Sequence, residues 1–194
     1  TEAVYVFGRS TSNVQIVIIK DGTKENVEII PHATVKQTFT ENAFFRHVAY
    51  DEVNDRFIVI ASNGTVWYSD DKCQTWAKVD TPEFGLNKFT SVHAVLGKYV
   101  FLPNYLGSDR KINIWDDINK TNAREVDLRD KFSSVNVYLT QNVGYDGKTV
   151  IICLGGSADH PARIYRTEDL VNWEETIGFV PAGRVGTTDT YLTV

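Results

Sequence analysis

The chain has 194 residues, 42% of them hydrophobic and 23% charged, with a net charge of −5, enough to bury a substantial core without a disulfide or metal staple. The acidic balance, with no concentration of Lys or Arg, argues against a nucleic-acid partner. No apolar run approaches the roughly 20 residues of a membrane helix, so membrane insertion is not expected. The sequence starts at Thr1, shows no signal-peptide pattern and contains no Met, which reads as a processed chain or a domain of a larger protein.

Along the chain, short β-prone runs alternate with turn signals. Val4 to Gly8, Val14 to Lys20 and Glu25 to Ile30 read as three strands, with Asp21-Gly22 between the last two. Residues 31–45 form the longest connection; 34–44 could hold a short helix, and Phe39, Phe44 and Phe45 are apolar for a loop. The next unit is the clearest. His47 to Tyr50 and Arg56 to Ile60 flank a turn-rich stretch, Asn63-Gly64 leads into Thr65 to Ser69, and a polar turn delivers Thr75 to Val79. These four strands are A to D in order. The same order recurs in Ser91 to Val95, Lys98 to Leu102, Lys111 to Trp115 and Arg124 to Asp127, and again in Asn136 to Val143, Lys148 to Leu154, Arg163 to Thr167 and Asn172 to Thr176. A spare strand, Thr188 to Val194, ends the chain.

Asp21, Asp71, Asp117 and Asp169 each follow strand C, at intervals of 50, 46 and 52 residues. A period in this range marks a repeat architecture, and a four-stranded propeller blade is the unit that fits. The expected fold is therefore all-β: a small propeller of about four blades, made of residues 1–30 plus 188–194, 46–80, 89–127 and 135–177. The first unit lacks strand A, and the C-terminal strand is expected to supply it, closing the ring without an unpaired edge. A segment of a larger propeller is the alternative.

Ser69-Asp70-Asp71-Lys72-Cys73-Gln74-Thr75-Trp76 resembles the Asp-box (BNR) repeat of sialidase-like propellers, Ser/Thr-x-Asp-x-Gly-x-Thr-Trp. Ser69, Asp71, Thr75 and Trp76 match, and Cys73 stands where the family has glycine. Thr167, Asp169 and Trp173, in Thr-Glu-Asp-Leu-Val-Asn-Trp, resemble the shortened form of the box. The units at Asp21 and Asp117 retain the aspartate and the strand pattern alone. The resemblance implies a structural role: the aspartate accepts backbone N–H groups in a tight turn, and the tryptophan packs on the neighbouring sheet. It also implies that ligands bind on the opposite face, where the B–C and D-to-A connections emerge.

Catalytic residues are not expected. The arginine-led Phe/Tyr-Arg-Ile-Pro signature of sialidases is absent, Phe44-Phe45-Arg46-His47 resembling it only superficially. No facing pair of carboxylates is apparent on the predicted inner strands, Asp189 lying on the spare strand, and the nucleotide, zinc-protease and hydrolase-elbow motifs are missing. His47 and His93, 46 residues apart, are candidates for the wall of a central channel. Cys73 and Cys153 give neither a disulfide framework nor a metal site. No cofactor or metal is expected.

Two B–C connections are long, 103–110 and 155–162, and on the four-blade reading they share a face. Tyr105, Asp109, Arg110, Asp159, His160 and Arg163 are the ligand-binding candidates there, a set that suits a sugar or a polar peptide. The expected function is a non-catalytic binding or scaffold module of a larger cell-surface or virion (phage tail) protein, partnered by other domains or subunits and by glycan or protein. A divergent glycoside hydrolase is the alternative. The compartment is not legible, the extracellular surface or a virion being favoured.

Overall fold

The computed structural model describes residues 3–10, 13–20, 28–31, 45–73, 75–79, 88–107, 110–129, 137–155 and 163–176. Among them every regular element is a β-strand, and no α-helix is present. The helix expected over 34–44 and the closing strand expected over 188–194 lie outside the described residues. By internal contacts the chain forms two compact units, Thr1–Leu86 and Asn87–Val194.

The first unit holds two antiparallel sheets. One has β1 (Ala3–Ser10), β2 (Asn13–Lys20) and β3 (Glu28–Pro31) side by side in chain order, with Ala3 opposite Lys20 and Lys20 opposite Glu28. The second has β4 (Phe45–Asp51), β5 (Arg56–Ala61), β6 (Val66–Ser69) and β7 (Ala77–Lys78), again neighbours in sequence and space. Its burial follows the apolar content of each strand. Phe57 to Ala61 of β5 are all buried, whereas the outermost β7 is exposed. Phe57, Val59, Trp67, Cys73 and Trp76 pack as one cluster, with Phe45 and Val48 against it. The turn after β4 is set by a side chain: Asp51 Oδ1 accepts the amides of Val53 and Asn54 at 3.1 and 3.3 Å, and Asn54 Nδ2 donates to Oδ2 at 2.8 Å.

The second unit repeats the plan twice. β8 (Ser91–Val95), β9 (Lys98–Leu102), β11 (Ile112–Trp115) and β12 (Arg124–Val126) form one sheet, and β10 (Tyr105–Leu106) lies between β9 and β11 in sequence. β13 (Val137–Tyr145), β14 (Val150–Gly155), β15 (Arg163–Thr167) and β16 (Glu174–Glu175) form the other. Strands β8 and β9 are joined by Leu96 and Gly97 alone, both at positive φ (53° and 68°), the conformation that a two-residue hairpin requires. Alternation along β9 and β11 sorts two apolar faces. Val100, Leu102, Ile112 and Ile114 pack with Val150, Ile152, Leu154 and Tyr165 of the neighbouring sheet. On the other face Tyr99, Phe101 and Trp115 are buried with Phe89, and the Phe101 and Trp115 rings lie 4.4 Å apart.

Strand β10 is the departure from expectation. The connection after β9 was expected to be an open rim loop, and instead Tyr105 and Leu106 pair with Tyr138 and Val137, making the last sheet five-stranded in the order β10-β13-β14-β15-β16. Leu106 is fully buried in the core between the two sheets. Its apolar side chain has nowhere else to shed water, and burying a leucine contributes about 1.5–3 kcal/mol. The Asn104 carbonyl extends the pairing by accepting the Leu139 amide at 3.1 Å.

Candidate binding site

Asp71 Oδ1 accepts the Ser69 hydroxyl and the Thr75 amide, each at 2.8 Å, and Oδ2 accepts the Thr75 hydroxyl. The Ser69 oxygen in turn accepts the Cys73 amide at 2.9 Å. Cys73 is fully buried with φ of 67°, a left-handed position that glycine takes without strain. That is the physical reason for the glycine of the resembled pattern, and here a buried thiol offsets the strain with packing. Burial, and secondarily the Asp71 charge, pushes the Cys73 thiol up to about 12. Asp169 does the same work in the shorter turn: Oδ1 accepts the amides of Val171 and Asn172 at 2.8 Å, and Oδ2 accepts Asn172 Nδ2 at 2.7 Å. These donors hold its carboxyl well below the usual range. Trp173 packs at the edge of the core.

The turn at Asp117 keeps more of the motif than its sequence suggested. Asp117 Oδ1 accepts the Thr121 amide at 3.1 Å, the same four-residue step that links Asp71 to Thr75. A second repeated feature escaped the sequence reading. A cation at the start of strand B, or in the last case two residues before it, reaches the acidic residue preceding the turn aspartate: Arg56 to Asp70, Lys98 to Asp116 at 2.6 Å, and Lys148 to Glu168 at 3.1 Å. The signal was a basic residue 14 to 20 positions ahead of an acidic pair, visible only once strand register is known. Asp116 is held low by hydrogen bonds from Lys98, then from Asn122 and Arg124. All these carboxylates are engaged in holding turns.

His47 lies opposite Ile60 and His93 opposite Val100. Within its own sheet, each strand B begins with the cation just described, Arg56 and Lys98. Counted from there, Ile60 is the fifth residue of its strand and Val100 the third. The histidines are therefore two positions out of equivalence: His47 lies four residues before Asp51 at the end of its strand, and His93 two residues before Val95 at the end of its own. A shift of two leaves both on the same side of the strand. His93 Nε2 lies 3.1 Å from Ser91 Oγ. The spacing resembles that of a nucleophile with its base, but Ser91 is fully buried, out of reach of a substrate, so the contact serves to satisfy a buried hydroxyl.

Of the six rim candidates, Tyr105, Arg110 and Arg163 fall among the described residues, and Asp109, Asp159 and His160 lie outside them. Tyr105 and Arg110 are brought together: the guanidinium carbon sits 4.5 Å from the ring centroid, and Arg110 Nη1 donates to Asn104 Oδ1 at 3.1 Å. Gly107 and Arg110 exchange backbone hydrogen bonds, closing the strap that carries them. Arg163 stands elsewhere. It lies on β15, three strand spacings from β10 and so roughly 14 Å across the sheet, and its Nη1 donates to both Glu175 oxygens at 2.8 and 2.7 Å. Sequence reading missed Asn104 and Leu106, the two residues that fasten the strap. Among the described residues no group of His, Cys, Asp and Glu has the arrangement of a metal site.

No family model matches the chain, and no curated protein sequence matches it. Solved structures do. The structure titled YCF48 bound to D1 peptide is similar with a TM-score of 0.54 at 14% identity, over 88% of this chain and 51% of that one. The N-terminal domain of Nup159 aligns with a TM-score of 0.47 at 9% identity, over 90% and 48% of the two chains. BamB from Moraxella catarrhalis aligns with a TM-score of 0.40 at 8% identity, over 87% and 48%. The chain thus spans about half the length of these structures. They are β-propellers, and with the four-stranded antiparallel sheets described above the first establishes the fold.

Proposed function

We propose that this β-propeller, of the Asp-box type, is a non-catalytic binding module, carried by a larger cell-surface or virion protein, that holds a segment of a protein partner. The observation that carries the reading is the Tyr105–Arg110 pair on a strap fastened into the core by Leu106. Tyrosine and arginine supply much of the binding energy at protein interfaces, and an arginine already held over the ring of a tyrosine on a strand bears little ordering cost when a partner arrives. Asp109, Asp159 and His160 extend the candidate surface, and His47 and His93 are candidates for the channel wall. The similar YCF48 structure holds a peptide, which favours protein over glycan as the partner. The carboxylates of the turns are spent on hydrogen bonds within the fold, which disfavours a hydrolase.

The test is selection from a displayed peptide library in parallel with a glycan array, repeated with Tyr105→Ala and Arg110→Ala. Selected peptides should lose roughly tenfold or more in affinity to each variant, the loss expected at an interface anchor. Turnover of sialosides, arabinosides or fructosides, abolished by changing one rim carboxylate, would overturn the reading. Binding to glycans alone would move the proposal from protein to sugar.

A further inference from the structure

We infer that the Asn63–Gly64 turn is a latent deamidation site, held unreactive in the folded chain by Thr65. In an Asn-Gly pair the glycine nitrogen can approach the preceding carboxamide without a side chain in the way. The peptide nitrogen of Gly64, on losing its proton, attacks Asn63 Cγ. The new C–N bond closes a five-membered succinimide, the Cγ–Nδ2 bond breaks, and Nδ2 leaves as ammonia with the proton. Water then opens the ring at either carbonyl, giving aspartate or isoaspartate.

The fold opposes each part of this step. The turn joins β5 to β6, and Gly64 is buried with its N–H donating to the Ala61 carbonyl at 2.9 Å. Asn63 Oδ1 accepts both the Thr65 amide at 3.1 Å and the Thr65 hydroxyl at 2.8 Å. Thr65 is 2% exposed, and its oxygen accepts the Trp67 indole N–H at 3.0 Å, which fixes the hydroxyl proton toward Asn63. Ring closure requires Gly64 N–H to leave its acceptor and Asn63 Cγ to swing onto the nitrogen, pulling Oδ1 from Thr65. Chemistry therefore proceeds only through the open fraction of this hairpin end. The product matters to the fold, because isoaspartate lengthens the backbone beside the Ile60–Val66 pair and adds a charge where Thr65 is buried.

Intact mass and peptide mapping over weeks at mildly alkaline pH, with wild type, Thr65→Val and Thr65→Ser, test this. Folded Thr65→Val should deamidate at Asn63 roughly five- to thirtyfold faster than wild type, the change expected from losing one or two buried hydrogen bonds. Thr65→Ser, which keeps the hydroxyl, should stay near wild type, and the urea-unfolded chain should be faster than any folded form. Circular dichroism confirms that Thr65→Val is folded. If it is not, the comparison of native wild type and Thr65→Ser with the unfolded chain decides. Native wild type reacting as fast as the unfolded chain, or folded Thr65→Val reacting as slowly as wild type, would overturn the inference.

Discussion

Asp71→Ala isolates what the turn aspartate does. The substitution removes three acceptor contacts of unequal consequence. Thr75 is exposed, so its amide and hydroxyl can turn to water and their loss costs little. Ser69 is 1% exposed; its oxygen goes on accepting the Cys73 amide, but its proton loses its acceptor. One stranded buried donor costs about 1–3 kcal/mol, and for a chain of this length each kcal/mol moves the melting midpoint by about 2–4 °C. The expected drop is therefore roughly 2–12 °C, read by thermal and urea denaturation. Asp71→Asn keeps Oδ1 as an acceptor for both Ser69 and Thr75 and should cost under about 1 kcal/mol. An alanine variant that melts with wild type, or an asparagine variant as damaged as alanine, would refute the hydrogen-bond accounting. Loss of partner binding at an unchanged midpoint would place the turn in the binding surface instead.

Acidification should weaken the fold through Asp116 and Asp169. Both carboxyls are depressed in the folded chain, so their contribution is present above about pH 4 and fades as pH falls toward their folded values; Asp169→Asn should flatten the acid limb of a midpoint-against-pH profile, and an unchanged limb would contradict this. Burial raises the Cys73 and Cys153 thiols, so both should resist a disulfide reagent in the native protein and react together on unfolding; rapid native labelling of either would show that the packing is wrong. Leu106→Ala should cost about 2–5 kcal/mol and free the strap, seen as faster amide exchange at Tyr105 and Leu139; exchange unchanged from wild type would detach the strap from the core.

The blades were legible because each obeys a local rule: β5, β9 and β14 announce themselves as apolar runs bounded by turn residues, and Asp71 and Asp169 stand in recognisable turns. What the sequence hid was non-local. Tyr105 and Leu106 are too short a run to read as a strand, and β10 exists because it meets Val137 and Tyr138 some thirty residues on. Thr121 was overlooked since Trp115 replaces the serine of the motif, although Asp117 reaches four residues ahead as Asp71 does. The equal spacing of His47 and His93 misled because Arg56 stands 15 residues ahead of Asp71 while Lys98 stands 19 ahead of Asp117, a difference that the longer first A–B turn and the histidines' own strand positions each take up by half. Arg163 looked like a rim cation until strand pairing set Glu175 beside it.

Strap β10 also limits how the chain can be cut. Most blades of a meander own all their strands, so a blade can be duplicated, deleted or traded between proteins as one stretch of sequence. The last sheet here cannot: the edge beside β13 is furnished by residues that precede β11. A splice between β12 and β13 would leave a donor chain with an orphaned Leu106 and a recipient with a bared β13. Recombination among such repeats should therefore keep these two blades together, as a pair inherited whole.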